Sequence, residues 1–438
     1  MGEHSLLYSF QISEDAASAL QKLPACIDEV NPVPERRRTE LRYNIRDLWR
    51  SLTMERAHRT IDYLNNPAFF SAYLRYFMPW NLVRLVALLT ELPLELSADA
   101  TIIDMGSGPL TFPLALYCAK PEFRKAPLTF ICADRTPRIM EAGRLILELL
   151  AAKHGGELPP WKIELRHARF GEPLHEKASL FCAVNVFNEF FWHHEGILSE
   201  DASELYHRTA QYCAPQGKML IVEPGEPRSG GLVSAMRAAA IIGGNEILAP
   251  CPHAYACPMP GIFKSGQEYL IGHHRTLEPV RMPAPRAKYP WCHFSVPAGF
   301  APRWLTSLSE EAGLSKEKLS FSFLFVKKQS VQKKPSGGHL PIHDSSHMQS
   351  ATVAERAAGG LTCRIISDSI ALPGGRTGKY ACSSLGYTLI SADQNKTQPE
   401  SGVLLRFRLT HPRGMEPRGS QQEALEFDRK TGAVLISY

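Results

Sequence analysis

ATIIDMGSG, residues 100–108, runs from aliphatic and β-branched residues into Asp104, Gly106 and Gly108. A short apolar run closed by glycines is the pattern of a strand buried on both faces, and a Gly-rich turn at its end lets backbone approach a ligand beside the next helix N-terminus. The texture returns downstream in LTFICADRT (128–136), WKIELRHAR (161–169), SLFCAVNVFNEF (179–190), KMLIVEPGE (218–226) and LSFSFLFVKK (319–328). The intervals between these runs leave room for helices, so the pattern predicts βαβ units around a parallel sheet, an α/β fold. Asp134 closes the second strand, where a carboxylate accepts hydrogen bonds from ribose hydroxyls. Thr111 stands where the dinucleotide fingerprint G-x-G-x-x-G has its third glycine. The spacing therefore favours an S-adenosylmethionine (AdoMet) site of the methyltransferase type, with Asp104, Gly106, Gly108 and Asp134 as candidate cofactor-binding residues.

NVFNEFF, 185–191, carries the fourth strand to the carboxyl edge of the sheet, the mouth of ligand sites in such folds. Asn185, Asn188 and Glu189 are the candidate catalytic residues there, with helix capping as the competing role. Glu223 and Gly225 of VEPGEP reach the same edge, first as a tight turn and only then as a site.

The flanking regions differ in kind. From about residue 14 to 95 apolar residues recur at helical spacing, which predicts a helical N-terminal region over 1–95. Arg38, Arg42, Arg46 and Arg50 follow one another at i+4, on one face, and that face either contacts phosphate or is simply solvated. The Rossmann-like domain is expected over 96–328, with a proline- and histidine-rich insertion at about 250–303. Residues 329–352 are polar and rich in Gly, Pro, Ser and His, as a linker is. Beyond it, short strand patterns such as KYACSSLGYTLISA predict a small antiparallel β domain over 353–438.

Composition sets limits. With 438 residues, 44% hydrophobic and 21% charged, the chain buries substantial cores and is not a disordered sequence. A net charge of +5 permits a polyanionic partner without demanding one. No apolar run is long enough to span a bilayer. The first residues lack the basic and apolar segments of a secretory or transit peptide, so the ten cysteines are expected as reduced thiols in the cytoplasm, some of them metal ligands.

CPHAYACP, 251–258, places Cys251 and Cys257 between prolines, and WCHF, 291–294, adds Cys292. Thiolates converging from extended, proline-flanked backbone suit an iron–sulfur cluster, whereas zinc sites more often show Cys-x2-Cys pairs; zinc is the alternative. His253, His273, His274 and His293 are better taken as solvated or locally bonded, and Cys118, Cys132, Cys182 and Cys213 as core residues. Taken in order, DMGSGP, ADRT, NVFNE, VEPGEP, APCPHAYACP, WCHFS and FSFLFV resemble the methyltransferase-like small-ribosomal-subunit assembly family of bacteria and mitochondria, over roughly residues 60–390. The resemblance implies a class I methyltransferase fold, association with the small ribosomal subunit or its rRNA, and a four-cysteine [4Fe–4S] cluster. It also implies that the fourth ligand is Cys382 of KYACSSLG rather than Cys363 of CRIISD. Leu110 stands where the family commonly has a further glycine. Neither a membrane nor DNA is expected as partner. Two other functions stay open: a non-catalytic RNA-binding assembly factor, and a small-molecule methyltransferase with a structural zinc.

Overall fold

Helical periodicity in the N-terminal region builds four helices in the computed structural model, which describes residues 10–53, 63–190, 198–255, 257–259, 291–329, 360–393, 400–407, 428 and 433–437. α1 (Glu14–Val30) opens on Ser13, whose hydroxyl accepts from the Ala16 amide at 3.2 Å, and carries Glu14 and Asp15 in its first turn. Both features answer the unpaired N–H groups and positive dipole end of a helix start. α2 (Glu35–Thr53) is strongly polar and buries only Ile45 and Leu48, so it lies on the surface. α3 (Pro67–Ala72), a π-helical segment (Tyr73–Phe77) and α4 (Met78–Glu91) follow without a break, and α4 is apolar nearly all round and buried.

Beyond Ala100, strands and helices alternate: β1 (Thr101–Met105), α5 (Thr111–Ala119), β2 (Thr129–Asp134), α6 (Pro137–Gly155), β3 (Lys162–His167), β4 (Ala178–Val184), α7 (Phe187–Phe190), α8 (Leu198–Ala210), β5 (Cys213–Pro224), α9 (Pro227–Ile242), β6 (Glu246–Ala249), β7 (Phe294–Pro297), α10 (Arg303–Glu311) and β8 (Lys318–Lys327). The sheet order is β3-β2-β1-β4-β5-β8-β6, with β7 also on β8. β1 to β5 are parallel, and β8 runs antiparallel to β5, β6 and β7. This is a Rossmann-like α/β sheet of the methyltransferase type with a helical N-terminal region. Strand order reverses between β1 and β4, the place where open α/β sheets bind ligands.

Successive strand residues face opposite layers, as a pleated strand requires. Ile102 packs toward the N-terminal helices, α5 and α6, and Ile103 toward α8 and α9. Cys118, Cys132, Cys182 and Cys213 are buried in these two layers. β6 and β7 share one side of β8: Glu246 to Ala249 pair with Lys327 to Phe325, and Phe294 to Pro297 with Phe321 to Lys318. They lie end to end as one interrupted edge strand. The Cys-rich insertion leaves between them, with Cys251 just after β6 and Cys292 just before β7.

The C-terminal sheet comprises β9 (Leu361–Ile365), β10 (Ile370–Leu372), β11 (Arg376–Ser383), β12 (Gly386–Asp393), β13 (Leu404–Phe407) and β14 (Val434–Ser437). Its order is β13-β9-β11-β12-β14, with β10 on β11. Pairing is antiparallel except between β12 and β14. A parallel pair needs a long crossover, and the chain between Asp393 and Val434, which includes β13, supplies one. Apart from Gln329, the expected linker at 329–352 lies outside the described residues. Among the described residues no helix is long and apolar enough to cross a membrane.

Candidate functional site

A cavity of about 330 Å³ opens at the carboxyl ends of β1, β2 and β4. Asp104, Gly106, Gly108 and Asp134 all line it, together with Ser107 and Asn185. Tyr73 of the π-helical segment and Asn81 of α4 close one side, so the N-terminal helices belong to the site. Gly106 and Gly108 have φ of 67° and 50°, a region glycine enters without strain. A Cβ on Gly106 would press to 2.5 Å from Val186 Cγ2, and one on Gly108 would meet nothing within 4 Å, standing in the space a ligand needs. Asp134 is fixed in orientation: its Oδ2 accepts from the Gly108 amide at 3.0 Å and its Oδ1 from the Thr136 amide at 2.8 Å.

The wall is short of hydrogen-bond partners. Asp104 Oδ2, Ser107 Oγ and Asn185 Oδ1 are buried and have none among the described residues. Such atoms are uncommon in folded proteins, and three along one cavity mark a place that a polar ligand completes. Burial, and after it the charge of Asp134, pushes the Asp104 carboxyl well above its ordinary range. Asn185 is held at φ 56°, a left-handed conformation that costs a non-glycine residue about 1–2 kcal/mol and that Asn tolerates better than most.

Glu223 supports this wall from β5. Its buried carboxylate accepts from the amides of Val186 (3.1 Å), Phe187 (2.8 Å) and Asn188 (3.1 Å), the unpaired donors at the start of α7. It shapes the lip of the cavity rather than facing the ligand. Of the three candidate catalytic residues, Asn185 lines the cavity and Asn188 does not; the side chain of Glu189 lies outside the described residues. Leu110, at φ 54°, sends its side chain into the core and leaves the cavity uncrowded. Close packing on the Gly-rich turn comes instead from Gly143 of α6, where a Cβ would stand 2.7 Å from Pro109 Cα and run into its carbonyl.

The second arrangement sits at the interrupted edge strand. Cys251, Cys257 and Cys292 are half-buried there, and Cys382 of β11 is buried against them. Burial first, and then the charge of the neighbouring cysteines, pushes the Cys292 and Cys382 thiols well above their ordinary range. Burial raises Cys251 too, with the Arg237 charge working against it. Register explains the selection of Cys382: it pairs with Arg364, and Ser383 with Cys363. Paired residues share a face, so Arg364 and Cys382 turn to the α/β unit, where Arg364 Nε donates to Pro250 O at 2.8 Å. Cys363 turns into the core of its own sheet.

Arg237, 2% exposed on α9, clamps the cysteine loop: Nε donates to Cys251 Sγ at 2.9 Å, Nη1 to Tyr255 O at 2.8 Å and Nη2 to His253 O at 2.7 Å. His253 Nε2 lies 3.0 Å from Cys382 Sγ. His293 stacks on Trp291 with ring centroids 4.8 Å apart, while His273 and His274 lie outside the described residues. No disulfide links the cysteines. Among the described residues, no group of three or more His, Cys, Asp or Glu is placed to hold a metal ion. The structure thus gathers four sulfurs beside two buried guanidinium groups without converging them on one ionic centre. Neither arginine was singled out from the sequence, although a lone charge inside the apolar run SAMRAAAII was a signal for Arg237.

Residues 197–263 match the family model described as Rsm22, mitochondrial small ribosomal subunit Rsm22. The matched stretch runs from α8 into CPHAYACP and holds Arg237, Cys251 and Cys257. No curated protein matches the chain. Similar solved structures include a putative class I S-adenosylmethionine-dependent methyltransferase from Listeria monocytogenes, 13% identical over 77% of this chain and 97% of that one, TM-score 0.35. A putative sarcosine dimethylglycine methyltransferase from Galdieria sulphuraria is 12% identical over 62% of this chain and 89% of its own, TM-score 0.27. Fibrillarin from Aeropyrum pernix, with natively bound S-adenosyl-L-methionine, is 16% identical over 38% of this chain and 68% of its own, TM-score 0.26. The fold assignment rests on the strand order itself.

Proposed function

We propose that this chain is an AdoMet-binding, methyltransferase-like protein that associates with the small ribosomal subunit through its rRNA and carries a four-cysteine [4Fe–4S] site. One observation carries the cofactor half: a cavity at the strand-order reversal whose wall joins two carboxylates, a glycine turn open to backbone approach and three unpartnered buried polar atoms. AdoMet has a ribose, an ammonium and a sulfonium, so its donors and positive charge answer the acceptors this wall presents. Asp134 would take the ribose, Asp104 the positively charged end, and Gly106 and Gly108 the close backbone contact. The bound cofactor supplies an activated methyl group. Asn185 stands on the wall where an acceptor would be oriented, and orientation is the contribution this site can make to such a transfer. The ribosomal half is supported by the family-model match, which includes the cysteine motif.

For the metal site, Cys251, Cys257, Cys292 and Cys382 would be the ligands. Zinc, the alternative, would draw four donors to about 2.0–2.3 Å from a single point. A cluster takes its thiolates at the corners of a larger body, and Arg237 and Arg364 offset the negative charge such a set carries. Co-sedimentation through a sucrose gradient tests the ribosomal assignment. The chain is expected in the small-subunit fraction, and a chain that stays with free protein in the presence of intact small subunits refutes that half.

A further inference from the structure

The surface between α2 and the turn after α10 carries an unusual set of cations. Tyr43 is 50% exposed, and the guanidinium carbons of Arg42 and Arg46 lie 4.8 Å and 6.0 Å from its ring centroid. Arg46 Nε donates to Ala312 O at 3.2 Å, which anchors this stack beside the turn 312–316. On the other side of the turn, Lys316 Nζ lies 5.8 Å from the Tyr76 ring centroid and 5.9 Å from that of Trp80. Arg84 stands one helical turn beyond Trp80. Its Nε is buried without a hydrogen-bond partner, and its Nη1 makes only a long 3.4 Å contact to Asn81 Oδ1. Burial, and then the charge of Arg84, lowers the Lys316 ammonium from its ordinary range. None of these four cations forms an ion pair among the described residues.

Two half-buried cations beside one another without a carboxylate destabilise the free protein and are relieved when an anion binds between them. A half-exposed aromatic ring with guanidinium groups nearby offers a flat face for a base. Duplex bases are already stacked and give such a ring nothing to hold, whereas unpaired bases do. We propose that this surface binds single-stranded RNA, with Tyr43 stacked on an unpaired base and Lys316 and Arg84 taking a phosphodiester of the same strand. The proposal deepens the assignment of an rRNA partner and rests on it.

Fluorescence anisotropy of the full chain with a short labelled single-stranded RNA, titrated across salt concentrations, tests it. Tyr43→Ala is expected to weaken binding at least about fivefold, the lower bound for one lost stack, with the salt slope unchanged. Lys316→Gln is expected to reduce the salt slope by about 0.7, one phosphate's worth for a single strand, and Lys316→Arg to restore it, which separates lost contact from misfolding. Inorganic phosphate is expected to compete only weakly, because it lacks the base. Wild-type binding with both Tyr43→Ala and Lys316→Gln unchanged overturns this site and leaves the RNA assignment standing. Equal affinity for a duplex of the same length overturns the stacking role. A wild-type chain that binds no RNA at low salt overturns both the site and the assignment beneath it.

Discussion

Replacing Arg237 with methionine keeps an unbranched apolar stem and removes the guanidinium with its three hydrogen bonds, so the variant tests the clamp on the cysteine loop. Tyr255 O and His253 O lose donors at 2.8 and 2.7 Å, and Cys251 Sγ loses one at 2.9 Å. A buried polar group left unsatisfied costs about 1–3 kcal/mol. The two carbonyls together set an expected loss of about 2–6 kcal/mol, a range that includes the ~3–5 kcal/mol typical of breaking a buried charged network. For a domain of this class each kcal/mol moves the melting midpoint by about 2–4 °C, so the midpoint should fall by about 4–24 °C. The assay is thermal unfolding followed by intrinsic fluorescence, in reductant and without oxygen. Arg303→Met, at an exposed position on α10, serves as the control expected within about 0.5 kcal/mol of wild type. Hydrogen exchange across 251–255 should rise in the Arg237 variant alone. A melting midpoint within about 2 °C of wild type, with unchanged exchange there, would refute the clamp.

Gly143→Ala should destabilise by about 1–3 kcal/mol, because its Cβ meets Pro109 backbone and the Gly-rich turn must shift; an unchanged urea midpoint would contradict this. Asp104, raised by burial and then by Asp134, keeps a proton in the folded chain that the unfolded chain releases above about pH 3.9. Stability should therefore fall as pH rises from there toward the raised folded value, and Asp104→Asn should flatten that slope; equal slopes in denaturant midpoint against pH would count against it. Anaerobically purified protein should contain iron with acid-labile sulfide, lost in Cys382→Ser and kept in Cys363→Ser, and the reverse pattern would contradict the ligand assignment.

The α/β class was legible because β1, β2, β4 and β8 are apolar runs bounded by turn residues, and such runs depend little on their surroundings. Asp104, Gly106, Gly108 and Asp134 could be placed together because the ends of β1 and β2 meet in any sheet of this order. Other features depended on contacts between distant residues. The edge strand is split into two four-residue pieces far apart in sequence, each too short to leave a pattern, so the insertion was legible at about 250–303 but its place between two halves of one edge strand was not. Glu223 reads as a turn residue until the amides of α7 are placed above it. The stripe of arginines on α2 showed charge but not its partners: Arg46 is anchored to the turn after α10, while Lys316 and Arg84, with no motif of their own, complete the surface. The parallel β12–β14 pair escaped because the sequence gives strand positions and not the direction of pairing.

Isothermal titration calorimetry of AdoMet into the full-length chain tests the central claim most directly. The cavity lined by Asp104, Gly108 and Asp134 predicts a saturable binding isotherm with one site per chain, weakened at least about tenfold, or 1.4 kcal/mol, in Asp134→Ala. No binding heat at millimolar AdoMet across a range of temperatures, from protein that melts cooperatively, would contradict it.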